Sequence, residues 1–437
     1  LIKNAMVTFF AELAWLDDGV TPNARITVHS GRIAGVEVAA PQNGDVPLPG
    51  LVLPGIANTH SHAFHRALRG RTHDVIGTFW TWRERMYAVA ARLDPDQYFA
   101  LARATYCEMA LAGMTAVGEF HYLHHAPDGR PYGDPNIMGQ ALLAAAREAG
   151  IRLTLLDACY LTGGIGEPLD GVARRFGDGT VVAWAERVAG LRADEHSQIG
   201  AAIHSARAVP KDALPSVVQA ASGRQLHVHV SEQPAENEQC LVAYGVSPTQ
   251  LLADAGALGA RTTAVHATHV TDADIALLGE SGSSISVCPT TERDLADGIG
   301  PARRLLDAGS PLTLGSDQHA VIDPFEEARA LEMDERLATR QRGRFTPAQL
   351  VTALTGQHAL GWPDAGRIAP GQRADLVAVR LDTVRTAGAA PEQAVLAAAA
   401  ADVDTVIADG RVIVGGGRHV LGDVGEMLRA AIAPLWE

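Results

Sequence analysis

Residues 51–70 read LVLPGIANTHSHAFHRALRG. A short apolar run ending in Pro-Gly leads on to three closely spaced histidines, His60, His62 and His65. A near-continuous apolar run is the pattern of a strand buried on both faces, as in a parallel sheet. Residues two apart on a strand share a face, so His60 and His62 can grip one ion together. Imidazole is the commonest side-chain metal ligand, and it is costly to bury without a partner. Histidines at a strand end are also often plain solvated loop residues. The stretch alone leaves both readings open, and the surrounding chain decides between them.

Outward from this run, the middle of the chain (51–366) repeats one unit. Apolar, β-branched runs at 51–60, 115–122, 151–159, 199–204, 225–231, 262–269, 284–289 and 311–316 alternate with Ala/Leu-rich stretches of helical spacing. PDQYFALARATYCEMALAG and PNIMGQALLAAAREAG are examples, each ending in Gly. Eight strand–helix units predict an α/β chain, a (β/α)8 TIM-like barrel. Short strand-like pieces with turns fill residues 6–50 and recur over 367–421. They predict one small discontinuous β-sandwich domain built from both termini, with GDVGEMLRAAIAPLWE as a closing helix. The expected domains are therefore 6–54 plus 367–437, and 55–366. Residues 1–5 precede the first patterned piece and are left out of the fold reading.

The 437 residues are enough for a large barrel and a second module. A net charge of −14 disfavours a nucleic-acid partner, which would select a basic face. No window approaches the roughly 18 apolar residues of a membrane span, and no signal-peptide pattern stands at the start. Cys107, Cys159, Cys240 and Cys288 are scattered, apolar in context and without a C-x-x-C pair. They read as buried free thiols of a reducing, cytoplasmic compartment. The base rate for symmetric assembly favours a homodimer.

A barrel of this type carries its chemistry at the C-terminal ends of its strands. Those ends hold the unusual residues: His60 and His62; Glu119, His121 and Tyr122; His204 and Arg207; His227, His229 and Glu232; His266 and His269; Asp317 and His319. Scattered surface histidines would not gather at six strand ends, so the metal reading prevails. Catalytic zinc needs only three or four protein ligands, and His60, His62, His229 and Asp317 form the economical set. A second ion would need a bridging ligand, often a carboxylated lysine on strand 4. That strand end offers His204, while Lys211 lies seven residues further on. One divalent ion is expected, zinc foremost.

The combination of HSH, HVSE, VHATHV and LGSD resembles the amidohydrolase superfamily, in its mononuclear deaminase branch. The resemblance covers essentially the whole chain. The longer motifs HSHAFHRALRG, FWTWRERMY, GEFHYLHH, IHSARAVP and HVSEQPAENEQC look like the N-formimino-L-glutamate deiminases of histidine degradation. By this resemblance His60, His62, His229 and Asp317 match the metal ligands, and Glu232 and His266 the proton-transfer pair. Tyr122, His204, Arg207 and an arginine of FWTWRERMY match substrate-pocket residues. His65 stands where some members carry Gln and joins the substrate-binding candidates.

The implied reaction is metal-dependent hydrolysis of N-formimino-L-glutamate to N-formyl-L-glutamate and ammonia, with a small dicarboxylate as partner. Asp317 can accept a proton from water, His266 can stabilise charge at the reacting carbon, and Glu232 can reach the leaving nitrogen. Alternatively, Glu232 is a helix N-terminal carboxylate satisfying free N–H groups. Carboxylates call for arginine's planar fork. Arg207 can project into the mouth, and of Arg83 and Arg85 in the Trp-rich segment we favour Arg83. Arg66 and Arg69 read equally well as surface or structural residues. His73, His124, His125, His196, His358 and His419 read as loop or solvated residues.

Three rival functions remain. A related deaminase acting on a purine or another amidine would replace the paired arginines with an aromatic slot. A hydrolase of amide or ester bonds would share the metal site. A non-catalytic binding relative would typically have lost metal ligands, whereas the set here is intact.

Overall fold

The computed structural model describes residues 6–17, 19–73 and 77–437; residues 1–5 lie outside it. Eight parallel strands form the barrel: Ile56–Ser61 (β1), Met114–His121 (β2), Arg152–Cys159 (β3), Ser197–Ser205 (β4), Leu226–Val230 (β5), Thr262–His266 (β6), Ser284–Val287 (β7) and Leu312–Leu314 (β8). They pair in chain order, and the seam between β8 and β1 closes at the rim. There the Asp317 N–H donates to the His60 carbonyl (3.0 Å), and the His62 N–H donates to the Asp317 carbonyl (3.1 Å). The bonds that close the barrel thus hold the backbones of three ligand candidates in register.

The remaining strands form one eight-stranded sheet, drawn from Val7–Pro54 and Leu376–His419. Its pairs are antiparallel except that Val7–Leu16 runs parallel to Val46–Pro54. The two halves of the chain meet where Val46–Pro54 pairs with Leu376–Val379. Phe9, Ile26, Leu48, Leu376 and Ile407 share a single apolar core, so this is one sheet curled around its own core.

Two expectations change. The run 51–60 is two strands: Val46–Pro54 belongs to the small sheet, and the barrel begins at Ile56. The break is Gly55, whose N–H donates to the Asp375 carbonyl (2.9 Å) and where a side chain would run into Thr115 and Asp375. The closing helix, Val424–Ile432, packs on the barrel helix Pro95–Leu111 and not on the small sheet. Trp436 Nε1 then donates to the Ala67 carbonyl (3.0 Å).

The barrel helices stop and start where the sequence signals it. Pro95–Leu111 begins on an Asp94–Gln97 capping box, and Ile137–Ala149 ends on left-handed Gly150. No described helix is long and apolar enough to cross a membrane.

Candidate active site

His60, His62, His229 and Asp317 converge at the barrel mouth, each buried. His229 Nε2 lies 3.0 Å from His60 Nε2 and 3.4 Å from His62 Nε2. Asp317 Oδ1 lies 3.2 Å from His60 Nε2 and 3.4 Å from His62 Nε2. Tetrahedral zinc with bonds of about 2.0–2.1 Å separates its ligand atoms by about 3.3 Å, so the spacing fits. The tautomers also fit. His62 Nδ1 donates to the Phe120 carbonyl (2.8 Å), and His229 Nδ1 donates to the His204 carbonyl (2.9 Å). Burial holds both rings below the ordinary imidazole pKa, hence neutral. Each Nε2 is therefore a bare lone pair. Two lone pairs facing each other across 3.4 Å cannot hydrogen bond and call for a cation between them. Burial opposes ionisation of Asp317, yet the surrounding imidazoles hold it below its usual carboxylate range.

Backbone strain accompanies this convergence. His266 (φ +69°), Asp317 (φ +42°) and His319 (φ +61°) all adopt left-handed conformations at strand ends, where non-glycine residues are uncommon.

Beside the cluster stands His266. Its Nε2 faces Glu232 Oε1 (3.8 Å) and Asp317 Oδ2 (3.9 Å), and its Nδ1 faces Glu292 Oε1 (3.4 Å). Burial disfavours the charged ring, but these three carboxylates outweigh it and push the pKa up to about 10. Burial raises Glu232.

From here a cleft runs outward. One wall is the helix Phe79–Arg92, presenting Phe79, Trp82, Arg83 and Met86; Tyr122, Tyr160 and Phe176 form another. His204 and Arg207 face the same space. Arg83 stacks on Trp80 and Tyr87, with its guanidinium carbon 4.5 Å and 5.5 Å from the ring centroids. Arg207 lies over Phe79 (5.9 Å), and its buried Nε has no hydrogen-bond partner.

The amidohydrolase family model matches residues 51–413, most of the chain. The chain belongs to the amidohydrolase family. This amidohydrolase is 38% identical to the formimidoylglutamate deiminase of Pseudomonas aeruginosa, over 95% of this chain and 96% of that one. It is 30% identical to the 8-oxoguanine deaminase of the same species, over 98% and 95% of the two chains. Among solved structures, an amidohydrolase from Brucella melitensis superposes with a TM-score of 0.93 at 33% identity, covering 99% of this chain and 100% of that one. A Xanthomonas campestris adenosine deaminase with bound zinc shares the fold at TM-score 0.84 and 24% identity, over 97% and 96% of the two chains. As an amidohydrolase the chain is a hydrolase, and its four-ligand cluster suits a divalent metal ion.

The fold of this amidohydrolase brings the sequence candidates together. His62, His65, Arg83, Tyr122, His204, Arg207, His229, Glu232, His266 and Asp317 all line the cleft, and His60 lies behind them. His65 Nε2 pairs with the Tyr122 hydroxyl (2.8 Å). Arg83 reaches the cleft wall, while Arg85 stays exposed. His227 points away from the mouth, to the Ala359 carbonyl (3.0 Å). Arg66 and Arg69 are structural, both gripping Glu108. All four cysteines are buried free thiols.

Of the histidines read as loop or solvated residues, His124, His125 and His419 are buried, although the first two do lie in the loop after β2. The first two lie beneath residues 171–176, and their N–H groups donate to the Arg175 carbonyl. His419 is held by the Ala149 carbonyl (3.0 Å). Glu292 escaped the sequence reading. It opens a short helix after β7 and accepts the Cys288 N–H (3.0 Å), a role that any helix-start carboxylate fills. The strand-end candidates Glu119 and His319 are joined through Ser61, which the sequence reading did not single out. Ser61 Oγ donates to Glu119 Oε2 (2.7 Å) and lies 3.2 Å from His319 Nε2. Burial pushes Glu119 up to about 8.

Proposed function

We propose that this amidohydrolase hydrolyses N-formimino-L-glutamate to N-formyl-L-glutamate and ammonia, with one zinc ion held by His60, His62, His229 and Asp317. One observation carries the reading: the cleft has a metal-ligand cluster at its inner end and two arginines in its walls. Among the described residues neither arginine is held by a protein carboxylate. Arg83 rests on aromatic rings, and Arg207 keeps an unpartnered buried donor. Two guanidinium groups suit the two carboxylates of the substrate. Resemblance to the P. aeruginosa formimidoylglutamate deiminase supports the same substrate.

A divalent ion in the cluster would lower the pKa of water from about 15.7 towards 7 and so supply a nucleophile at neutral pH. Asp317 is placed to take the proton that water releases and pass it on; its Oδ2 lies 3.9 Å from His266 Nε2. Charged His266 stabilises the negative charge on the water-derived oxygen as it adds to the formimino carbon. Buried Glu232 carries a proton to the departing nitrogen. The carbon gains oxygen from water, its bond to the terminal nitrogen breaks, and that nitrogen leaves as ammonia.

A purine-type substrate is the second reading. The aromatic walls Phe79, Trp82, Tyr122 and Phe176 could sandwich a ring, and 8-oxoguanine deaminase is a 30% identical relative. The deciding test is ammonia release by the zinc-loaded protein from N-formimino-L-glutamate, 8-oxoguanine and 5′-deoxyadenosine, with Glu232→Gln as control. Release from the first alone, lost in the variant, is expected. Release from a purine alone would overturn the substrate.

A further inference from the structure

Arg175 is fully buried and touches neither the metal cluster nor the cleft. Its guanidinium donates to main-chain carbonyls on two separate segments. Nη1 donates to Ala90 and Nη2 to Leu93 (2.7 Å), at the C-terminal end of the helix Phe79–Arg92. Nε donates to His125 (2.8 Å), three residues after Tyr122. Its own carbonyl accepts the N–H groups of His124 and His125, both at 3.0 Å. The next residue, Phe176, is itself cleft wall and meets Tyr122 edge-on, with ring centroids 5.0 Å apart.

One side chain therefore ties together the three segments that present Arg83, Tyr122 and Phe176. A helix C-terminus is the end at which a cation is favourable. Burial of a charge that is paired with carbonyls and not with a carboxylate is still costly, and an apolar residue could have filled the space. What only a guanidinium can do there is span several carbonyls with a rigid planar fork. Lysine offers one compact charge and cannot bridge both segments at once.

We propose that Arg175 is a positioning residue for substrate binding: it fixes the helix that carries Arg83 against the segment after Tyr122, and so sets the reach from the arginine anchor to the reacting carbon. The inference rests on the dicarboxylate reading above, because it treats Arg83 as an anchor.

The test compares Arg175→Lys and Arg175→Met with the zinc-loaded wild type in two measurements. Hydrogen–deuterium exchange reads the tie without reference to any substrate. Exchange over 79–93 and 122–126 should quicken in both variants, more in R175M, while the barrel strands stay protected. Steady-state kinetics on N-formimino-L-glutamate read the consequence. KM should rise by about tenfold or more in R175M and by less in R175K, with kcat held within about threefold and metal content unchanged. A merely structural residue would lower kcat and metal content together, which would overturn the proposal. Unchanged exchange over 79–93 would overturn it too, as would quickened exchange with unmoved KM. If the wild type itself fails to turn over the substrate, the substrate reading falls and the anchoring role falls with it. Exchange then decides the tie alone.

Discussion

The imidazole of His266 faces three carboxylates, of which only Glu292 addresses Nδ1. A proton held at Nδ1 by Glu292 leaves Nε2 turned towards Glu232 and Asp317, so Glu292 sets which edge of the ring works. Glu292→Gln keeps the shape and removes the charge. The expected result is a loss of about 10- to 100-fold in kcat with metal content unchanged, the usual scale for a group that orients a working histidine. An unchanged kcat would show that His266 is oriented without it. Asp317→Asn should behave differently. An amide is a poor ligand for a dication that three neutral imidazoles already surround, so the purified variant should retain less than about a tenth of the wild-type metal, read by elemental analysis. Full retention would remove Asp317 from the ligand set. These two residues also mark what was legible in the chain. Asp317 stands at a strand end in a motif of its own. Glu292 is one carboxylate among many at helix starts, and nothing local tells that a histidine on the neighbouring strand turns its ring towards it.

At the scale of the element, the helix Pro234–Tyr244 buries Glu236 in its first turn with neither carboxylate oxygen hydrogen bonded. Burial pushes its pKa up to about 7; Arg207 opposes the shift and Glu232 adds to it. The folded value is raised above the ordinary carboxyl value of about 4.3. The folded state is therefore unpenalised below pH 4.3, loses stability as pH rises towards 7, and carries a constant deficit above that, on the order of a few kcal/mol. Glu236→Gln removes the deficit. In urea unfolding it should be more stable than wild type at pH 8, and the difference should shrink to near zero at pH 4.5. An equal difference at both values would show that Glu236 does not titrate in this range. Period and length were enough to find the barrel helices and most strands, because burial on one stripe or on both faces writes itself into local pattern. The run 51–60 reads as one strand because two apolar strands of different sheets are joined there by a single Gly55. The amphipathic stripe of the closing helix says that a partner exists, not which one, so the sequence does not reveal its packing on Pro95–Leu111.

At the scale of the whole molecule, the small sheet is fastened to the barrel by a charge cluster at the end opposite the cleft. Arg152, the first residue of β3, donates both terminal nitrogens to Asp375, one also to Asp409 (3.1 Å) and the other to Gln357 (2.6 Å). Asp409 further accepts from Arg373 (2.9 Å) and lies 3.1 Å from His196 Nδ1. Burial opposes the charge on Asp409, but His196, Arg152 and Arg373 hold it well below the usual carboxylate range. Such a depressed group contributes stability above an unfolded value of about 3.9 and loses it as pH falls towards the folded value. None of this was visible in the sequence, since Arg152, Asp375 and Asp409 lie far apart in the chain and only the fold brings them together. Arg152→Met would leave Asp375 buried without its cation, a change that typically costs about 3–5 kcal/mol. We expect that loss in denaturant unfolding at pH 7, together with unchanged kcat and KM in the fraction that remains folded, because the cluster is a barrel's length from the metal ligands. As pH is lowered below about 4 towards the depressed value of Asp409, the gap between variant and wild type should narrow, since the wild type is then losing the stability that Arg152 lends to charged Asp409. A variant that keeps its stability would mean the sheet is held by its apolar contacts alone. One that folds normally but loses activity would mean that strain at the base of β3 reaches the mouth of the barrel.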